Sequence, residues 1–473
     1  MKEKGYIMFE KGVGIINDFM YSKLLIVLLI VAGLYFTIRS RFIQVRLFRS
    51  ACKSIMEKPE DDKAFSSFQA LMVSTASRVG TGNIVGVSSA ICMGGFGSVF
   101  WMWVIAIIGG ASAFIESTLA QIYKKKARDG KCYGGPAYYI EAALHCRPLA
   151  ILFCIAMILT YGFGFNMLAS YNLQSTFSSF SFYVQGNTPW FIGAVIAVIA
   201  GWCLLGGANR IVKITSSVVP VMGVLYILVA LLSIVINIEN VPAVFAQIFD
   251  EAFDFKAIFG GFAGSAMMYG IKRGLFSNEA GIGSAPNASA SASVSHPVKQ
   301  GLVQMISVFI DTLLICTATA MLCMCSGVAP SGALEGAPWV QEALRATFGM
   351  IGPVFIACAM VLFAFTTLLG NCFYCDNLLT YIFKKEPGQK FMVGFRLACT
   401  AAIFVGAGVS MNMLWNIADV CMGLMAIINI PVILILSGIA FRALSDYEKQ
   451  KKSGVNPVFK AENIGIKGDN FWK

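Results

Sequence analysis

Ser77-Arg78-Val79-Gly80-Thr81-Gly82-Asn83 lies inside an apolar block, residues 67–93, long enough to cross a bilayer. Glycine costs a helix about 1 kcal/mol relative to alanine. Two glycines around a threonine let the chain open and free backbone N–H and C=O groups. In hydrocarbon such groups are costly unless something binds them. A broken helix therefore belongs beside a cavity, where its positive half-helix end can hold an anion and its carbonyls a cation.

The surrounding composition agrees with a membrane setting. Of 473 residues, 57% are hydrophobic and 13% charged, against about 25% charged in soluble domains. Apolar blocks near 14–38, 67–93, 97–123, 148–170, 188–208, 211–237, 256–280, 298–327, 350–371, 391–411 and 413–441 give about eleven candidate spans. No small-residue cleavage site follows the first block, so it reads as a span and not a signal peptide.

The net charge of +11 does not argue for nucleic acid. The basic residues fall between apolar blocks, as in cytoplasmic loops. They cluster at Arg39–Lys58, Lys124–Lys131, Arg210 and Lys213, Lys272 and Arg273, Lys384 and Lys385, and in the tail. Each cluster follows an odd-numbered span, which predicts an outside N-terminus and a cytoplasmic C-terminus. Eleven spans divide into a leading helix and two sets of five. An odd number per set makes the second set inverted, a plan shared by many secondary transporters. The predicted units are 1–65 (leading helix and basic segment), 66–238 (first repeat), 239–445 (second repeat) and 446–473 (basic tail).

The first helix of the second set carries its own glycine cluster, Gly260-Gly261-Phe262-Ala263-Gly264-Ser265. Interruptions at corresponding positions of two halves point to a transport site. The alternative is that these glycines only let helices pack closely. Arg78, deep in its span, needs water or a partner; Glu116, Asp311 and the substrate are the options. Adjacent hydroxyls at Thr366 and Thr367 suit a small hard cation, although threonines also bond back to their own helix. Lys272 to Asn287 reads as a polar stretch at the cytoplasmic face, with Arg273 and Glu279 as an inner gate or as part of an ordinary loop.

Other chemistries find little support. No nucleophile, base and orienter set stands out, and there is no GxxxxGK[ST] phosphate loop. His145 and His296 lie near predicted span ends. The fourteen cysteines, including Cys372 and Cys375, lack a second pair at zinc spacing.

Several runs resemble the alanine or glycine:cation symporter family. They include Gly80-Thr81-Gly82-Asn83-Ile84-Val85-Gly86-Val87, Phe100-Trp101-Met102-Trp103, Glu116-Ser117-Thr118-Leu119-Ala120-Gln121 and Gly134-Gly135-Pro136-Ala137. Arg273-Gly274-Leu275-Phe276-Ser277-Asn278-Glu279-Ala280-Gly281 is the most specific; Gln300-Gly301-Leu302-Val303-Gln304, Asp311-Thr312 and Phe363-Ala364-Phe365-Thr366-Thr367 continue the match. The resemblance implies an all-α, leucine-transporter-like fold, with a 5+5 inverted repeat after one extra helix. It also implies a monomer in the cytoplasmic membrane that takes up a small neutral amino acid with Na⁺, sometimes with H⁺, and no organic cofactor or enzymatic activity. On this sequence the implied substrate residues are Thr75, Ser77, Arg78, Gly80, Thr81, Gly82, Asn83, Gly261, Phe262, Gly264, Ser265 and Thr366. The implied Na⁺ ligands are carbonyls near Thr75, Ala76 and Val79, with Thr366 and Thr367. One departure bears on specificity. The glutamine that family members carry near Ala169 is absent, and Asn172 is the nearby amide, so glutamine or another amino acid stands beside alanine and glycine. A membrane sensor that binds without transporting is the rival of another class.

Overall fold

A computed structural model describes residues 2–59, 65–126, 132–254, 265–466 and 471–472, and the chain is almost wholly helical. In chain order the helices are α1 (Glu10–Arg39), α2 (Ser67–Arg78), α3 (Val87–Gly94), α4 (Gly97–Ile122), α5 (Pro136–Leu144), α6 (Arg147–Ser179), α7 (Thr188–Leu205) and α8 (Gly207–Ile236). They continue with α9 (Val241–Ala252), α10 (Ala266–Asn278), α11 (Pro286–Ser291), α12 (Pro297–Cys325), α13 (Ala337–Phe348), α14 (Ile351–Phe383), α15 (Gln389–Gly406) and α16 (Met411–Lys452). A two-residue hairpin, β1 (Lys125–Lys126) with β2 (Cys132–Tyr133), follows α4.

Eight of these helices are long and apolar enough to cross a membrane among the described residues. They differ in what they face. The apolar windows of α4 and α12 are 72% buried, so these two form the inner bundle; that of α8 is 28% buried. Val221, Val224, Leu225, Leu228, Leu231, Leu232 and Val235 of α8 are exposed. Such a surface is stable only against lipid, because water would meet a continuous apolar stripe.

The first interrupted helix follows its sequence. α2 starts with a capping box: Ser66 Oγ accepts from Gln69 N, and Gln69 Oε1 accepts from Ser66 N. It stops at Val79, whose ψ of 88° leaves the helical region. The chain re-enters through a π turn, Gly82–Gly86, and continues as α3. Three other helices carry wide turns of this kind, at Met20–Leu25, Leu159–Gly164 and Phe309–Cys316.

A second interruption lies where the sequence reading placed none. α10 runs unbroken from its Ser265 cap to Asn278 and stops at Glu279, which is left-handed at φ 54°. Gly281 and Gly283 also have positive φ, 84° and 91°, before α11 begins. The break is therefore 279–285, within the stretch read as a cytoplasmic loop. Gly261, Phe262 and Gly264 lie outside the described residues. Ser265 is a helix cap whose Oγ accepts from Met268 N.

The two broken helices run in opposite directions. Phe65, just before α2, pairs with Ala292, just after α11. At the other end a Cβ on Gly94 of α3 would meet Tyr269 of α10. One side of the bundle also collects the basic segments: Arg46 bonds Glu448, Lys451 bonds Ser50, and Tyr133 bonds Glu386. We term it the basic face. Lys272 and Arg273 do not belong to it. They are buried in the middle of α10, so the reading of them as a loop cluster is corrected.

Candidate functional site

The first break is packed directly on α14. A Cβ at Gly80 would overlap the Thr367 hydroxyl, so only glycine fits there. Thr367 Oγ1 is buried and has no hydrogen-bond partner. Thr366 points elsewhere. Its Oγ1 donates to Leu362 O at 3.0 Å and Phe363 O at 3.1 Å, and faces Met222 Sδ on α8. The two adjacent hydroxyls therefore point to different neighbours in this structure, and Thr367 is the one that lies against the first break.

The other residues of the break engage four different helices. Thr75 Oγ1 meets Ser307 Oγ of α12 at 3.3 Å. Ser77 Oγ donates to Asn371 Oδ1 of α14 at 2.7 Å and reaches Glu279 Oε1 at 3.3 Å. Thr81 Oγ1 accepts from Asn172 Nδ2 of α6 at 3.1 Å, and Asn172 Oδ1 is left buried without a partner. Ala169, one turn earlier on α6, is buried. Asn83 Oδ1 accepts from Gly80 N at 2.8 Å, closing the turn. Its Nδ2 donates to Asp311 Oδ1 at 2.7 Å. Asp311 Oδ2 accepts from Ser277 Oγ, at 2.7 Å, and from Thr312 Oγ1. A Cβ on Gly82 would meet the Phe276 ring. The end of α10 thus closes the other side of the break.

At the second break the freed amides find a carboxylate. Glu116 of α4 accepts from Gly281 N at 3.3 Å, Gly283 N at 3.1 Å and Asn429 Nδ2 at 3.0 Å. Asn429 Nδ2 also reaches Gly281 O, tying α16 to the same turn. Glu279 Oε2 accepts from Ser284 Oγ at 2.7 Å. The two breaks are joined through Ser77 and Glu279.

Arg78 is 2% exposed, yet no carboxylate lies within ion-pair distance of it among the described residues. Its Nη1 reaches Gln304 O and Oε1 only at 3.5 and 3.4 Å, and its Nε and Nη2 have no partner. Neither Glu116 nor Asp311, the partners considered from sequence, bonds to it. The expected Arg273–Glu279 gate is also not formed. Arg273 Nη1 contacts Asp419 Oδ1 of α16 at 3.1 Å, and Lys272 Nζ contacts Asp419 Oδ2 at 2.9 Å. The Arg273 guanidinium lies 3.8 Å from the Trp415 ring centroid. Trp415, Phe276 and Phe165 continue as a ring column at 4.8 and 4.9 Å, between this ion cluster and the first break.

Sequence reading passed over Asp419 and Asn371 and gave no site role to Glu116 or Asp311. A polar residue deep in an apolar block is the signal that marks all four.

Antiparallel broken helices, with freed backbone groups and buried unpaired polar atoms between them, define a secondary transporter of the leucine-transporter type. Solved structures share the architecture. The chain aligns with MhsT in complex with L-phenylalanine at TM-score 0.55 and 15% identity, covering 79% of this chain and 89% of that one. It aligns with an Eremococcus coleocola manganese transporter mutant at TM-score 0.53 and 14% identity, covering 85% and 84%. The chain belongs to the sodium:alanine symporter family, whose model matches residues 6–461. It is 43% identical to the amino-acid carrier protein AlsT of Bacillus subtilis over 98% of both chains. It is 43% identical to the probable sodium/glutamine symporter GlnT of the same organism, over 96% of this chain and 93% of that one. It is 35% identical to the sodium/alanine symporter AgcS of Methanococcus maripaludis, over 94% and 98%. The protein is therefore a multi-pass membrane transporter for Na⁺-coupled movement of amino acids, and not an enzyme.

Proposed function

We propose that the chain imports alanine or glycine with Na⁺ across the cytoplasmic membrane by alternating access. The observation that carries this reading is the group of buried, unpartnered polar atoms around Gly80: Thr367 Oγ1, Asn172 Oδ1 and the Nε and Nη2 of Arg78. Burying such groups without partners costs about 1–3 kcal/mol each, so their retention is consistent with ligands that satisfy them. Na⁺ would sit between Thr367 Oγ1 and carbonyls near Thr75, Ala76 and Val79. The substrate carboxylate would meet freed amides at Gly80 to Asn83 and the Arg78 guanidinium. Its ammonium would meet Asn172 Oδ1.

On this reading the bound cation ties α2 to α14, so the halves move together only when loaded. Cation and substrate then raise each other's affinity by the same factor. The eight long spans, the two interrupted helices and α15 give the eleven crossings proposed. Units 66–238 and 239–445 act as the inverted repeats, the chain works as a monomer, and the basic face lies in the cytoplasm, with the N-terminus outside.

The test is uptake of labelled alanine, glycine and glutamine into proteoliposomes, with and without an inward Na⁺ gradient. Na⁺-driven accumulation of alanine or glycine is expected. Accumulation of glutamine alone would replace the substrate, in line with the name of the Bacillus subtilis relative. Uptake driven equally well by a proton gradient would replace the ion. Binding without accumulation in sealed, correctly inserted protein would leave the sensor.

A further inference from the structure

The basic face is shut by a direct contact between the two broken helices. Ser293 N donates to Phe65 O at 2.9 Å, and Gln300 Nε2 donates to Ser67 Oγ at 3.0 Å. The first joins the entrance of α2 to the exit of α11, and the second ties α2 to the start of α12. Alternating access with a central site requires this junction to part whenever the site opens to the basic face.

The segment that follows α16 is folded onto this junction. After Ser453 the chain turns back. Pro457 O accepts from Ser295 Oγ at 2.8 Å, and Phe459 N donates to Ser295 O at 2.9 Å. Asn456 Oδ1 accepts from Lys299 Nζ at 2.7 Å. The Phe459 ring lies 5.1 Å from the His296 ring and 5.5 Å from Trp472. Trp472 Nε1 donates to Gln121 O at the end of α4, at 2.8 Å. Lys124 Nζ lies over the Phe471 and Trp472 rings, at 4.4 and 4.7 Å, and donates to Ala292 O at 3.0 Å. Phe459, Ala461, Ile464 and Trp472 are buried.

The contacts take two directions. One set binds back along α16, where Val458 N donates to Gln450 Oε1 at 2.9 Å and Arg442 Nε donates to Ile464 O at 3.1 Å. The other reaches the strand-like stretch 292–296 and the end of α4, which belong to the junction. A tail that only capped the bundle would have no reason to bond Ser295 twice and hold Lys124 against Ala292.

We propose that residues 453–466, with Phe471 and Trp472, form a latch that holds the α2–α11 junction shut, and that the latch must release before the site opens to the basic face. The consequence for transport rests on the alternating-access reading above; the latch itself is tested without transport. Hydrogen exchange would be measured on the full chain in detergent, on Phe459→Ala/Trp472→Ala, and on a chain ending at Ser453. Amides of 288–296 are expected to exchange at least about tenfold faster in both variants, while those of α4 keep their protection. Unchanged exchange at 288–296 overturns the latch. Loss of protection throughout α4 also overturns it, because the tail would then serve global folding. In proteoliposomes the same variants should show several-fold faster alanine counterflow. A wild type that moves no amino acid, with variants that still loosen 288–296, would sink the transport reading and leave the latch standing.

Discussion

Thr366 and Thr367 give a discriminating pair, because they are chemically identical neighbours with opposite surroundings. Valine keeps the shape and removes the hydroxyl. Thr367→Val deletes an oxygen that bonds nothing else and lies against the first break. If that oxygen binds Na⁺, its loss resembles losing a hydrogen bond to a charged group, about 1.5–3 kcal/mol. At about 1.4 kcal/mol per factor of ten, the Na⁺ concentration for half-maximal alanine uptake should rise roughly 10- to 150-fold. Thr366→Val deletes bonds to the carbonyls of its own helix and a contact to Met222 Sδ. It should shift the Na⁺ requirement by less than about threefold. Gly80→Ala places a methyl group on the Thr367 hydroxyl and should mimic Thr367→Val. The assay is Na⁺ titration of initial uptake in proteoliposomes at matched insertion. Equal shifts for the two threonines, or a larger one at Thr366, would refute the assignment.

Three further outcomes follow from the geometry. Asp419→Ala leaves Lys272 and Arg273 buried without their anion and should cost about 3–5 kcal/mol in unfolding experiments; adding Lys272→Met should recover part of it, and full stability in the single variant would show that the cluster is solvated. Glu116→Gln exchanges one acceptor oxygen for an amide that faces the Gly281 or Gly283 N–H, a mismatch of about 1–3 kcal/mol; transport should fall about tenfold or more in a folded protein, and normal turnover would exclude Glu116 as the support of the second break. At the tail, burial pushes the pKa of His296 below its usual 6.5, to about 4, against the raising effect of Asp446 and with a smaller lowering effect from Lys299. The docked state therefore binds fewer protons than the released one, and the stability that docking adds is present above pH 6.5 and lost as pH falls towards 4. The difference in melting temperature between the full chain and the chain ending at Ser453 should shrink over that window, and a constant difference would show that His296 does not sense docking.

Much of the frame was legible. Long apolar blocks marked the eight helices long enough to cross a membrane among the described residues, and the break at Gly80 was visible because glycine and threonine are poor choices inside a helix without another use. The second break was not located. The expected one, Gly260 to Ser265, falls outside the described residues save for Ser265, and 279–285 supplies left-handed positions at Glu279, Gly281 and Gly283. A left-handed glutamate is unusual, and nothing local announces it. What supports that turn is Glu116, about 165 residues away in sequence. Arg273 was hidden for a similar reason. Its counter-ion lies 146 residues further on, and a charge neutralised inside a bundle scores in a hydropathy profile like a charge in a loop. Thr366 and Thr367 could not be told apart, because the rotation of a helix about its axis is set by its neighbours.

The wide turns at Gly82–Gly86, Leu159–Gly164 and Phe309–Cys316 lie on three helices that meet around the first break. Each holds one residue more than an α-turn would need. If such a turn relaxes to α geometry, everything beyond it advances by one residue, about 1.5 Å along the axis and 100° around it. That is a screw motion available without breaking the rod. Asn83 and Asp311 sit within two of these turns and bond each other, so one helix cannot rotate without releasing or dragging the next. The middle of the bundle is therefore built like meshed gears, in which a small axial stroke at one shaft is delivered as a large change of facing at another.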